Sequence, residues 1–205
     1  MNILTLQVAP IGTNCYIVSQ NNEAFVVDPG GDSDNIISKA GNFDLKYILI
    51  THTHYDHIGA LNDLVKAFPD AKVAVHESEK DALYDPVKNL SCGFGINFSF
   101  SGKVGISLND GDTLDFGSSH IEVIHTPGHT VGGVCYLLND TLFAGDTLFK
   151  TGIGRSDLPG GDHDVLIRSI QEKLFVMPGK TKVYPGHMDP TTIAWEKQRN
   201  PYLKI

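Results

Sequence analysis

Four potential metal ligands occur within six residues of this chain, in the sequence HTHYDH. The segment follows a short apolar, β-branched run and precedes residues with helical spacing. It is therefore expected on the loop at the carboxyl end of a strand, where α/β folds place their chemistry. Alternate side chains of an extended backbone project to one side, so His52 and His54 can converge on one ion while Asp56 and His57 face a second. Imidazole and carboxylate together suit zinc, iron or manganese.

One short segment cannot complete two coordination shells, so further ligands are expected in loops that follow strands. His129 lies in His-Thr-Pro-Gly-His-Thr, Asp146 in Ala-Gly-Asp-Thr and His187 in Tyr-Pro-Gly-His. Each comes after an apolar run and a glycine-bearing turn, which lets the backbone bring the side chain close to a shared centre. A structural role is expected for the other four histidines, since most histidines are not ligands: His76, His120, His125 and His163.

The pattern of apolar residues predicts one layered α/β domain over residues 1–205. Short β-branched runs alternate with stretches of helical spacing, and the hydrophobic and charged fractions, 41% and 20%, are ordinary for a globular chain. Asn21-Asn22 and Asn139-Asp140 predict tight hairpin turns. The segment 91–105 has no clear period, so it is either a surface loop or a wall of a binding cleft.

Charge and composition exclude several classes of protein. The formal net charge is -8 without a localised basic patch, which disfavours nucleic-acid partners. The N-terminal residues lack a basic, apolar export signal and no run reaches membrane-spanning length, so a cytoplasmic protein without a membrane partner is expected. The three cysteines are too few and too scattered for a disulfide framework, and the two in apolar runs, Cys15 and Cys135, are expected to be inert.

The ligand pattern resembles the metallo-β-lactamase superfamily along essentially the whole chain, through HxHxDH at 52–57 and the three later ligands. Other motifs resemble the glyoxalase II (hydroxyacylglutathione hydrolase) branch. These are Gly-Asp-Thr at 145–147, GRSDLPGG at 154–161, PGHMDPTTI at 185–193, Glu196, and Asn-Pro at 200–201. Larger members of that branch carry an added C-terminal helical domain and glutathione-contacting tyrosines. Since this chain lacks both, the resemblance is to the short, single-domain prokaryotic type.

The resemblance implies an α/β fold of the αββα sandwich type, with an active site in a groove at one edge. It also implies two divalent metal ions, zinc foremost and iron or manganese as alternatives. Asp56 is expected to serve catalysis as well as to bind metal. The implied ligands are His52, His54 and His129 for the first ion, Asp56, His57 and His187 for the second, and Asp146 between both. Water shared by two such ions, with its pKa lowered from about 15.7 toward about 7, is the expected nucleophile.

A thioester is the substrate class that this chemistry suits. A thiolate, whose conjugate acid has a pKa near 8.5, can leave without a dedicated general acid. The resemblance implies S-lactoylglutathione or a related hydroxyacyl thioester as substrate. Arg155 is the foremost candidate for binding a substrate carboxylate, because its guanidinium grips carboxylates through two hydrogen bonds, and Lys150 is a weaker candidate.

Several alternatives share these residues. A persulfide dioxygenase of the same superfamily would hold one iron through His52, His129 and Asp146. A β-lactamase or a lactonase would use the same metal chemistry with different pocket walls. Nucleases are disfavoured by the acidic balance, and a flavo-diiron protein would need Glu in place of His54. A non-catalytic binding module has no need for a complete set of seven ligand positions.

Overall fold

Two units make up the chain in the computed structural model, which describes residues 1–203. The first runs from Met1 to Leu108 and the second begins at Asn109. Each unit contains a six-stranded mixed sheet with helices packed against it, so the predicted α/β class is confirmed. No helix in the described part of the chain is both long and apolar enough to cross a bilayer.

The sheet of the first unit has the strand order β1-β2-β3-β4-β5-β6. Strands β1 to β3 pair antiparallel, whereas β3 to β6 pair parallel. The elements are β1 (Asn2–Val8), β2 (Thr13–Gln20), β3 (Glu23–Val27), α1 (Ser33–Ala40), β4 (Asp44–Leu49), α2 (Tyr55–Ile58), α3 (Leu61–Ala67), β5 (Lys72–His76), 3₁₀ helices at Glu77–Tyr84 and Ser91–Phe94, and β6 (Ile106–Leu108).

The central strands of this sheet are apolar and buried toward their carboxyl ends, at residues 25–27 of β3 and 48–49 of β4, as expected for parallel strands covered on both faces. Ile48 and Ile50 are fully buried in one core cluster with Leu61 and Leu64 of α3. The parallel pairing of β3 with β4 brings their carboxyl ends to the same edge, where the Asp28 amide donates to the Leu49 carbonyl at 3.0 Å. The residues that follow the two strands are therefore placed side by side.

The sheet of the second unit has the order β14-β13-β10-β9-β8-β7, and a separate hairpin is formed by β11 and β12. Only the pairing of β10 with β13 is parallel within this sheet as described. The elements are β7 (Thr113–Phe116), β8 (Ser119–His125), β9 (Val134–Leu138), β10 (Thr141–Gly145), β11 (Leu148–Phe149), β12 (Gly152–Ile153), α4 (His163–Ser169) with a π turn at Ile170–Leu174, β13 (Lys182–Pro185), β14 (Thr191–Thr192) and α5 (Ile193–Arg199).

Strands and helices alternate along the chain, as the pattern of apolar residues predicts. Both predicted hairpin turns are formed, with positive φ at Asn21 and Asn139. The final helix begins at Ile193, because Thr192 caps it by accepting the Trp195 amide at 3.2 Å.

The segment 91–105 is an anchored loop with one 3₁₀ turn. Asn89 donates to the Phe98 carbonyl at 3.0 Å, and the Phe98 amide donates to the Ser91 hydroxyl at 3.0 Å. Phe98 and Phe100 are buried in the core cluster of the first unit. The loop is irregular in sequence because its tethers are individual side chains rather than a periodic apolar face.

Two of the three cysteines are buried, Cys15 and Cys135, whereas Cys92 is exposed. Burial, reinforced by the negative charge of Asp28, raises the pKa of the Cys15 thiol well above its usual range. We therefore expect one rapidly reacting thiol in the native protein and three after denaturation, measured with a chromogenic disulfide reagent. A Cys92→Ser variant that still shows a fast thiol would contradict this assignment.

Leu166 on α4 is fully buried in the core cluster of the second unit. Its replacement by alanine removes apolar contacts and leaves a cavity, so Leu166→Ala should lower the free energy of unfolding by about 2 to 5 kcal/mol. Val176 is 74% exposed, and Val176→Ala should change the free energy of unfolding by less than about 0.5 kcal/mol. Urea unfolding of both variants makes the comparison, and equal losses would show that α4 is not part of the core.

Candidate metal centre

The four clustered ligands of the first unit are all buried: His52, His54, Asp56 and His57. After β4 the chain bends at Thr51, and His54, in extended conformation, precedes α2, which places Asp56 and His57 on the first turn of that helix. The ring of His52 lies 4.7 Å from that of His54 and 4.1 Å from that of His57, measured between centroids. Three imidazoles are thereby packed together, as the sequence spacing predicted for His52 and His54.

Asp28, directly after β3, fixes the orientation of two of these rings. Its carboxylate accepts hydrogen bonds from the Thr51 amide at 2.8 Å, from the Thr51 hydroxyl at 2.7 Å and from Nδ1 of His57 at 2.9 Å. The Thr51 hydroxyl hydrogen points at Asp28, so its oxygen is left to accept from Nδ1 of His52 at 3.1 Å. In this network both histidines carry their proton on Nδ1, which leaves Nε2 as a lone-pair donor for a metal.

Asp56 is held by a hydroxyl and lies at ligand spacing from its neighbour. Thr13 donates to Oδ2 of Asp56 at 2.8 Å, and Nε2 of His57 lies 3.3 Å from the same oxygen. Two ligands of a tetrahedral ion at about 2.1 Å would be about 3.4 Å apart. A Cβ on Gly30 would lie 1.7 Å from the Asp56 carbonyl oxygen, so this close approach requires glycine.

Glu79 holds the backbone between the first two histidines. Its buried carboxylate accepts from the Thr53 amide at 3.0 Å and from the Thr53 hydroxyl at 2.5 Å. Thr53 lies between His52 and His54, so this contact holds the backbone between the two rings.

The three ligands of the second unit follow three strands: His129 comes after β8, Asp146 after β10 and His187 after β13. Nε2 of His129 and Nε2 of His187 each lie 3.6 Å from the same oxygen, Oδ2 of Asp146. One carboxylate oxygen at equal distance from two imidazole nitrogens suits a carboxylate that would serve as a ligand together with each of them. The parallel pairing of β10 with β13 accounts for the proximity of Asp146 and His187.

A backbone carbonyl fixes the tautomer of His129. Nδ1 of His129 donates to the carbonyl oxygen of Arg155 at 2.6 Å, and a carbonyl can only accept. Nε2 of His129 is therefore a lone-pair donor as well. A Cβ on Gly154 would lie 1.8 Å from the Asp146 carbonyl oxygen and 3.2 Å from Nδ1 of His129, so the chain can pass between these two ligands only with glycine at this position.

The side chain of Arg155 is exposed and already paired. Its Nε donates to Oδ1 of Asp157 at 2.8 Å and its Nη2 donates to Oδ2 at 2.8 Å. The guanidinium lowers the pKa of the Asp157 carboxyl to about 2. The predicted role of Arg155 in binding a substrate carboxylate stays a prediction, whereas its carbonyl has a definite contact with a candidate ligand.

All seven predicted ligands belong to clusters of histidine and carboxylate groups able to hold a metal ion. Their nitrogen and oxygen donors suit divalent ions, so the residues present fit a metal centre. Sequence reasoning missed the residues that orient the ligands, Asp28, Thr51, Thr13 and Glu79. The position of Asp28 was a usable signal, because Asp28 follows strand β3 as His52 follows strand β4. Glu79 lies on a 3₁₀ helix and carries no comparable signal.

Comparison with known proteins connects this arrangement to a family. The family model described as the metallo-beta-lactamase superfamily matches residues 8–187. The probable metallo-hydrolase YqgX of Bacillus subtilis is 38% identical over 204 residues, 97% of this chain and 95% of that protein. Hydroxyacylglutathione hydrolase GloC of Haemophilus influenzae is 33% identical over 209 residues, 99% of this chain and 98% of that protein.

Solved structures agree over the same length. The BLEG-1 B3 metallo-beta-lactamase matches with a TM-score of 0.93 and 36% identity, covering 99% of this chain and 100% of that one. TTHA1623, solved in a di-iron-bound form, matches with a TM-score of 0.86 and 31% identity, covering 98% of this chain and 100% of that one. With its single-domain α/β metallo-β-lactamase fold and a donor set suited to divalent metals, the chain belongs to the metallo-β-lactamase superfamily of metallo-hydrolases.

Proposed function

We propose that this protein is a metal-dependent thioester hydrolase that cleaves S-lactoylglutathione or a related hydroxyacyl thioester. The observation that carries the proposal is the similarity to hydroxyacylglutathione hydrolase GloC, which extends over nearly the full length of both chains. The glycine-rich segment 154–161, which supplies the carbonyl contact to His129, is among the motifs that resemble this branch. The proposal therefore rests on the surroundings of the ligands as well as on the ligands.

The proposal assigns the ligands as the resemblance implies. His52, His54 and His129 would hold one divalent ion, Asp56, His57 and His187 a second, and Asp146 would bind both. When bound, such ions supply a nucleophilic hydroxide at neutral pH and polarise the scissile carbonyl.

The side chains around the ligands have a preparatory role in this reaction. Asp28, Thr51 and the Arg155 carbonyl accept hydrogen bonds from Nδ1 of His57, His52 and His129 respectively, which leaves Nε2 of each ring to face a metal. A thiolate leaves without needing a proton from a side chain, because its conjugate acid has a pKa near 8.5.

Hydrolysis of a β-lactam is the second candidate function. It is favoured by the similarity to the BLEG-1 B3 metallo-beta-lactamase, with its TM-score of 0.93. An amide nitrogen is a poorer leaving group than a thiolate and needs a proton, so the two activities make different demands on the same ligands. Parallel assays of S-lactoylglutathione and a chromogenic cephalosporin with one metal-loaded preparation decide between them.

The Asp146→Ala variant tests the proposed activity. The metal-loaded protein should hydrolyse S-lactoylglutathione with a kcat/KM of about 10⁴ to 10⁸ M⁻¹s⁻¹, followed by released thiol. Asp146→Ala should reduce kcat/KM by more than about 100-fold, which is the cost of losing only the hydrogen-bond partner of a ligand. The variant should also lose bound metal, measured by elemental analysis. The matched control is Asp70→Ala, since Asp70 is exposed. Full turnover in Asp146→Ala, or none in the metal-loaded parent, would refute the proposal.

The Asp28→Asn variant tests how the histidines are prepared. Asparagine tolerates the positive φ of 51° at this position, but its NH₂ group would face a hydrogen-bond donor. Metal affinity should fall by about 10- to 100-fold, measured by competition with a chromophoric chelator. Asp34→Asn makes the same charge change at an exposed position of α1 and should leave the affinity unchanged. Equal affinities of the two variants would remove the assigned role of Asp28.

A further inference from the structure

A cavity of about 450 Å³ lies in the second unit, beside the edge strand β14. This volume is within the range of small-molecule sites, roughly 300 to 1,000 Å³. We call it the lysine pocket and define it by Lys150, Lys182, Tyr184, Thr191, Thr192 and Trp195. Two ammonium groups, hydroxyl groups and two aromatic rings line it, which is a lining suited to an organic anion with an apolar body.

One buried carboxylate braces the walls of the lysine pocket. Glu196 is fully buried and accepts hydrogen bonds from the Thr151 amide at 2.9 Å, from the Thr191 hydroxyl at 2.5 Å and from Nδ2 of Asn200 at 2.9 Å. These donors come from the turn of the β11–β12 hairpin, from β14 and from the end of α5. The hairpin also carries Lys150, so the pocket has a fixed shape before any ligand binds.

The cations of the pocket are available to a ligand. Among the described residues no carboxylate forms an ion pair with Lys182, and the side chain is exposed. Lys150 pairs with Asp189 at 3.0 Å, with both side chains exposed to solvent, and a solvent-exposed ion pair of this kind is weak enough for a ligand carboxylate to replace. The guanidinium of Arg199 stacks over the Trp195 ring at 4.7 Å and adds a third positive charge.

The lysine pocket adjoins the loop that carries His187. The ring of Phe149, next to Lys150, lies edge-on to the His187 ring with centroids 6.0 Å apart. Pro190, also in the pocket wall, is three positions beyond His187, and this stretch spans at most about 11 Å of extended chain. An extended tripeptide spans about 10 Å, so a tripeptide thioester has the length needed to connect Pro190 with this ligand.

We propose that the lysine pocket is the subsite for the anionic thiol half of the substrate, with Lys150 and Lys182 binding its carboxylates and Trp195 its apolar part. This inference rests on the proposed thioester hydrolysis and adds the part of the substrate that determines selectivity. Glutathione carries two carboxylates, both ionised at neutral pH. In an acidic chain of net charge -8, the two lysines that line the pocket, with Arg199 beside Trp195, are the groups that would attract such a molecule.

The kinetic test compares two thioesters with the same lactoyl group, S-lactoylglutathione and the uncharged lactoyl thioester of N-acetylcysteamine. Lys182→Glu should raise KM for S-lactoylglutathione about tenfold and leave kcat within about twofold, so the kcat/KM ratio of the two substrates falls about tenfold. Lys180→Glu is the matched control, because Lys180 is exposed, pairs with Asp140 and lies outside the pocket lining. It makes the same charge change two residues away and should leave the ratio unchanged.

Two outcomes would overturn the subsite. An unchanged ratio in Lys182→Glu would show that the pocket does not contact the thiol half. An equal fall in Lys180→Glu would show that the charge acts by long-range attraction rather than by contact.

A binding measurement separates failure of the subsite from failure of the proposed activity. Trp195 is the single tryptophan of the chain, so its fluorescence reports on the pocket directly. S-methylglutathione, a thioether that cannot be hydrolysed, should change this fluorescence saturably in the parent protein and at least tenfold more weakly in Lys182→Glu. A response in a protein that hydrolyses neither thioester would support the pocket and refute the activity, whereas no response in an active enzyme would refute the pocket alone.

Discussion

The buried carboxylate of Asp28 is the constraint on which the rest of the first unit's site depends. A carboxylate that is 1% exposed is costly unless hydrogen bonds replace its water, and here the Thr51 amide, the Thr51 hydroxyl and His57 do so. The same bonds decide which nitrogen of His52 and His57 carries the proton. The stability of the buried charge and the readiness of the imidazoles for a metal therefore have one physical origin.

The second unit reaches the same result with backbone groups. A carbonyl, that of Arg155, takes the place of a carboxylate in fixing His129, and no charge has to be buried for it. The requirement is steric, since the chain passes so close to the Asp146 carbonyl that only glycine fits at position 154. Gly30 likewise allows the backbone to approach the Asp56 carbonyl closely. Glycine at these two positions is thus part of the ligand geometry, although neither residue has a side chain to contribute.

The sequence was enough to predict candidate ligands and most strands, but not the groups that orient those ligands. His52, His54, Asp56 and His57 are close in the chain, and the rule that parallel strands end at one edge predicts where they lie. Their partners are distant in sequence: Asp28 precedes His57 by 29 residues, and Arg155 follows His129 by 26. Such contacts depend on strand pairing and loop packing, which local periodicity does not contain. Glu196, 45 residues from Thr151, was noted only as part of a motif, because nothing local distinguishes a buried brace from an exposed helical glutamate.

The cation proposed from the structure to bind substrate, Lys182, differs from the one that the sequence favours. Sequence reasoning favoured Arg155, since a guanidinium matches a carboxylate better than an ammonium does. In the structure Asp157, two residues away, accepts hydrogen bonds from Nε and Nη2 of this guanidinium. A substrate carboxylate would have to share the guanidinium with Asp157 or displace it, whereas at Lys182 it would displace only water. An ammonium, although it matches a carboxylate less well than a guanidinium does, can therefore be the better binding site. Binding depends on which contacts the incoming carboxylate replaces as well as on the strength of the new contact.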